Sequence, residues 1–117
     1  MSLEIIGWIA PRISSEIISP SGPVFDLRVI EKTAKIHEKA GFDRVLIGYF
    51  SDAPEGSMIA AHASSVTNEL KFLLAHRPGF VAPTLAARMF ATLDQLTKGR
   101  LGVHIIAGGS DVDQAKD

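Results

Sequence analysis

The chain contains no cysteine, which excludes a disulfide framework, a thiolate nucleophile and any cysteine-ligated metal without identifying a compartment. It also lacks an excess of either charge. Twelve basic and 13 acidic residues give a formal net charge of -1, leaving no field that would draw nucleic acid or an anionic membrane, and neither partner is expected. No apolar run approaches the roughly 20 residues needed to span a bilayer. The N-terminus, with Glu4 near its start, has no basic region followed by an apolar signal core, so a cytoplasmic location is expected. Low-complexity tracts and linkers are absent. GxGxxG is missing after the first strand, where APRISS stands, and there is no P-loop, nucleophile elbow or Ser, His, Asp triad order.

What is present is an ordinary globular composition. The 117 residues, 46% hydrophobic and 21% charged, suggest a single domain. The stretch from Leu70 to Asp111 reads as one strand, helix, strand unit. KFLLAH and LGVHIIA are short apolar runs without alternation, the pattern of strands buried on both faces, and a helix-period segment separates them. Polar and flexible residues follow each strand: His76, Arg77, Pro78 and Gly79 after the first, Gly108, Gly109, Ser110 and Asp111 after the second. In parallel α/β folds, ligands bind at those carboxyl ends.

Earlier parts of the chain repeat this logic. Leu3 to Ala10 is a first strand, ended by Pro11 and Arg12. The segment from Pro11 to Phe25, with three prolines, one glycine and four serines, is a long loop of the length that is usually functional. Asp26 can cap a helix running to about Ala40, whose face of Val29, Ile30, Thr33, Ala34 and His37 turns to the sheet. Gly41 and Phe42 supply a Schellman-type end, and His37 reads as structural. Arg44 to Phe50 is the second strand. Met58, Ile59, His62 and Val66 form the stripe of a second helix, for which Ser51 or Asp52 is available as a cap. Pro83 opens a third helix with a stripe of Leu85, Ala86, Met89, Phe90, Leu93 and Leu96, and Gly99 closes it. That stripe reads as core.

Four strands therefore alternate with three helices, which specifies a parallel sheet with right-handed crossovers. Without a dinucleotide fingerprint, a (β/α)8 barrel is favoured over a doubly wound sheet. Residues 1–117 are expected to form a single partial domain, the N-terminal half of such a barrel. An isolated half exposes two strand edges and an apolar concave face, so association into a homo-oligomer is expected. Truncation is favoured over completion by a second polypeptide or a second copy.

The run LKFLLAHRPGFVAPTLAARMFATLDQLTKGRLGVHIIAGGSD closely resembles the bacterial-luciferase-like flavin monooxygenases, in particular the alkanesulfonate monooxygenase branch. RPG, PTLAAR, ATLDQLTKGRL and a strand ending in a glycine-rich turn with Asp carry the resemblance. It extends more weakly through AGFDRVLI to the first strand. The resemblance implies a (β/α)8 barrel and a two-component enzyme. Reduced FMN would come from a separate flavin reductase, and O2 would oxygenate a small organosulfonate to aldehyde plus sulfite. It also implies that residues 104 and 107 approach the flavin: this chain has His104 where the family commonly has Asn, and Ala107 where it has Thr or Ser. Ala53 stands where the alkanesulfonate enzymes carry a cysteine. His104 can still make a hydrogen bond, whereas Ala107 cannot replace a hydroxyl.

Arg12, Tyr49, Ser51, Asp52, His76, Arg77, His104, Ser110 and Asp111 are the candidates at strand exits. His104, Ala107, Ser51 and Ala53 are assigned to the cofactor, and Arg77 and Arg12 to the substrate, because a guanidinium offers forked donors to an anion such as sulfonate. Arg77 could equally pair with a carboxylate and brace RPG. No metal is expected, and catalytic residues are not assigned. The alternative reading is a half-barrel fragment or paralogue without catalysis, acting through association.

Overall fold

A computed structural model describes residues 2–109 and 111–113. The elements follow in the order β1 (Ile6–Ile9), α1 (Leu27–Lys39), β2 (Arg44–Ile47), α2 (Gly56–Ser65), β3 (Lys71–His76), α3 (Pro83–Leu96) and β4 (Leu101–Ile105). The strands form one sheet in the order β1-β2-β3-β4, and every neighbouring pair is parallel. A doubly wound sheet would reverse its order about the first strand. Sequential order with helices between the strands is the arrangement of part of a (β/α)8 barrel.

Side chains alternate across this sheet. Ile9, Val45, Ile47, Phe72 and Leu74 are buried beneath the helices, where they meet Ile30 and Ala34 of α1, Ile59, Ala60 and Ala63 of α2, and Leu93 of α3. Burying each large aliphatic or aromatic side chain contributes about 1.5–3 kcal/mol. Trp8, Leu46, Leu73 and Gly102 sit side by side in register on the opposite, concave face. The strands are thus covered on one face only, not on both as their unbroken apolar runs suggested. Ile6 and Trp8 on the concave side remain 48% and 44% exposed.

Asp26 caps α1, its Oδ1 accepting from the backbone of Arg28 at 3.0 Å and of Val29 at 3.4 Å. Gly41, at φ 80°, ends it, with the Phe42 N–H donating to the His37 carbonyl at 3.0 Å. α2 departs from the expected pattern. Its cap is Glu55, whose carboxylate accepts from Ser57 and Met58 at 3.0 and 3.1 Å, not Ser51 or Asp52. Its buried side is Ile59, Ala60, Ala63 and Ser64, because the small residues allow close approach to the sheet; Met58 is 66% exposed. His62 consequently leaves the core and pairs with Glu31 of α1 at 2.9 Å. On α3, Ala86 and Leu93 are buried, but Leu85 and Leu96, at the edges of the expected stripe, are exposed. Among the described residues, no helix is long and apolar enough to cross a membrane.

The amino-terminal side of the sheet is braced by two charged groups. The Glu38 carboxylate accepts backbone N–H groups from Asn68, Glu69 and Leu70, at 2.7–2.9 Å for its Oε2. Arg100 donates to the carbonyls of Leu70, Thr97 and Ser64 and to the Thr67 hydroxyl. Burial alone would push the Glu38 pKa up, but the three N–H donors and the Arg100 charge outweigh it and hold the group below the usual carboxylate value.

Candidate functional site

Parallel strands gather their carboxyl ends on one rim, and here that rim opens onto the concave face. A pocket of about 590 Å3 occupies it, lined by Trp8, Leu46, Gly48, Tyr49, Ala75 and His104 together with the chain after β2 and β4. Its size falls in the range of about 300–1,000 Å3 found for small-molecule and cofactor sites.

The floor follows from strand register. Ala75 lies beside His104, and Gly48 comes directly after Ile47, the residue paired with Leu74. Gly48 and Ala75 therefore give a low, flat floor between the Trp8 ring on one side and the His104 imidazole on the other. Gly48 has no room for a side chain. A Cβ there would stand 2.6 Å from the Phe50 ring and 2.8 Å from the Trp8 ring, whose centroids are 6.0 Å apart.

The exits of β2 and β4 are tied together across β3. Asp111 accepts the Ser51 N–H at 3.0 Å and the Ser51 hydroxyl at 2.8 Å, and also takes the Asp113 N–H at 3.1 Å. The link draws the glycine-rich turn after β4 over the pocket mouth, where Gly108 and Gly109 join the lining.

The expected site residues divide among three places. His104 and Ser51, with Tyr49, Asp52 and Asp111, line the concave pocket. Arg12 and Ala53 line a second pocket of about 240 Å3 beneath the β1–α1 loop, which Asp52 also reaches. Arg77 and His76 line a third, of about 120 Å3. The Arg77 guanidinium carbon lies 4.9 Å above the Phe80 ring, against Gly108 at φ 114°. It fills the space a Cβ at Gly108 would need and does not line the lumen pocket. His76 packs edge-on against Phe90 at 4.9 Å, on the helix side. Ala107 is exposed, and Ser110 lies outside the described residues.

Sequence reasoning missed Trp8, Gly48 and Phe50. The signal available was alternation: with Ile9 and Ile47 facing the helices, Trp8 and Gly48 must face the lumen. Among the described residues, no group of three His, Asp or Glu side chains is placed to hold a metal ion.

The floor is flat, the flanks are aromatic, and polar atoms stand at the rim. A family model described as luciferase-like monooxygenase matches residues 3–117. Solved structures share the fold. The coenzyme F420-dependent tetrahydromethanopterin reductase from Methanopyrus kandleri aligns with a TM-score of 0.80 at 18% identity, over 99% of this chain and 30% of that one. EDTA monooxygenase (EmoA) from Chelativorans sp. BNC1 aligns at 0.76 and 17%, over 97% and 31%. Riboflavin lyase (RcaE), solved with modified FMN and riboflavin, aligns at 0.72 and 20%, over 97% and 31%. This chain thus spans about a third of the length of the structures it resembles. Four parallel strands in sequential order, a lumen pocket at their carboxyl ends and a profile match over nearly every residue agree: the chain belongs to the luciferase-like monooxygenase family.

Proposed function

We propose that these residues form one wall of the flavin site of an FMNH2-dependent, two-component monooxygenase, supplied with reduced flavin by a separate reductase and using O2 to oxygenate a small organic substrate. The observation that carries this reading is the lumen floor of Gly48 and Ala75 between Trp8 and His104. A flat floor accepts an isoalloxazine ring, the indole supplies an apolar face, and the imidazole supplies one hydrogen-bonding group at its edge. The cofactor performs the redox chemistry, while the chain supplies position, exclusion of water and polar contacts. An organosulfonate substrate is the finer form of the proposal. Arg12 supports it from the pocket next to the lumen, whereas Arg77 is turned to Phe80 and Gly108.

Exposed lumen-facing Ile6 and Trp8 favour a second reading, association without catalysis. Equilibrium dialysis against oxidised FMN separates the two. Saturable retention, weakened roughly two- to tenfold by His104→Ala, is expected from loss of one hydrogen bond of about 0.5–1.5 kcal/mol. Retention that is non-saturable, or unchanged in the variant, overturns the assignment.

A further inference from the structure

Two exposed apolar features lie outside the lumen pocket, and each carries a single charge, of opposite sign. The first is the loop between β1 and α1. Its base is closed by the Asp26 N–H donating to the Pro11 carbonyl at 2.7 Å, its middle by Ser21 to Ile13 at 3.4 Å and its tip by Ser15 to Ile18 at 3.0 Å. These ties make it a preformed arm. Its underside rests on its own chain, where Pro11, Pro20 and Val24 meet Ile9, Ile47 and Ile59, but Ile13, Ile17 and Ile18 take no part in that lining. They stand in solvent, Ile17 at 94% exposure. Glu16, beside them, is the one charged residue between Ile13 and Phe25.

The second feature is a groove of about 300 Å3 between α2 and α3. Ala61, being small, leaves the space, and Met58, Leu85, Met89 and Leu96 wall it. Met58, Leu85 and Leu96 are exposed. Arg88 is the one charged residue of the lining. Neither the Glu16 nor the Arg88 side chain makes a hydrogen bond or ion pair with any described residue. Exposed apolar patches of this kind mark interaction surfaces, and here knob and groove match in polarity and in charge.

We propose that the arm of one chain seats in the α2–α3 groove of a second copy, with Ile17 and Ile18 against the apolar walls and Glu16 paired with Arg88. A preformed arm loses little conformational freedom on docking, and the opposite charges fix its register. Each chain carries both halves of the contact, so two copies exchange arms and close a twofold dimer. This surface is separate from the concave face of the sheet, and the proposal does not depend on the flavin reading.

Sedimentation velocity over a concentration series, on the parent chain and on the charge reversals Glu16→Lys and Arg88→Glu, tests this. The parent is expected to dimerise, and each reversal alone to weaken the dimer at least tenfold, because like charges then meet at both contacts. An equimolar mixture of the two variants should recover the dimer, since the mixed pair holds one native and one reversed charge pair; recovery also shows that both variants are folded. A parent that stays monomeric overturns the proposal. So does a dimer that neither reversal weakens, which would move association to the concave face, or a mixture that remains as dissociated as its components, which would place the arm in the groove of its own chain.

Discussion

Ser51 and Asp111 stand 60 residues apart in sequence, yet the Asp111 carboxylate holds both the N–H and the hydroxyl of Ser51, at 3.0 and 2.8 Å. One carboxylate thus sets the spacing of two strand exits that flank the lumen pocket. The contact is exposed, so its worth to folding is small and its worth to the rim is geometric. Asp111→Ala is expected to cost no more than about 1.5 kcal/mol in urea denaturation while lowering FMN affinity severalfold. An equal affinity in variant and parent would show that the latch does not shape the pocket.

Gly7 is occupied from above by His37, whose ring would lie 2.1 Å from an added Cβ; that ring packs edge-on against Phe42 at 4.6 Å and meets the Thr33 carbonyl at 2.8 Å. Gly7→Ala is therefore expected to destabilise by about 1–3 kcal/mol through overpacking. The double variant Gly7→Ala, His37→Ala should recover part of that loss. Strictly additive costs in the double-mutant cycle would contradict the contact.

Glu38 makes stability depend on pH. Its folded pKa lies below the ordinary value because three backbone N–H groups and Arg100 outweigh the opposing effect of burial. The stabilisation is therefore fully present above the unfolded-state value, about pH 4.3, and is lost as pH falls through the folded value. Glu38→Gln, which removes charge-assisted hydrogen bonds, is expected to cost about 1.5–3 kcal/mol near neutral pH. The gap between parent and variant should narrow in acid. A gap of the same size at both ends of a denaturation series from neutral to strongly acid pH would rule this out.

Gly48→Ala places a methyl where the Phe50 and Trp8 rings now pass. Both are side-chain ends at the rim, so they can swing aside and the fold should survive. The expected outcome is a shift in Trp8 emission together with a reduced affinity for FMN. Unchanged affinity would mean that the ring pair does not shape the lumen pocket.

The strand and helix order was legible in the sequence because apolar runs and periodic segments alternate without interruption, and Asp26, Gly41, Pro83 and Gly99 punctuate the helices. Burial was less legible. The apolar runs of β1 and β2 do not record that one face meets helices and the other a lumen, and Trp8 therefore passed as an ordinary strand residue. On α2 the stripe of Met58 and His62 follows side-chain size, whereas the small residues Ala60 and Ala63 face the sheet. At the site, His104 and Ser51 line the lumen pocket, whereas Arg12 and Ala53 line the smaller one. Which exit side chains share one pocket is set by loop paths such as the Ser51–Asp111 link, and no local pattern encodes a contact over 60 residues.

Trp8 is the chain's single tryptophan and stands where the lumen pocket and the smaller pocket beneath the β1–α1 loop meet, so its emission reports on that part of the rim. Titration with oxidised FMN, whose absorption overlaps indole emission, is expected to quench Trp8 saturably, with the quenching reduced in His104→Ala. Quenching that rises linearly with FMN and is identical in the variant would mean that no flavin occupies the concave face, contradicting the account at its centre.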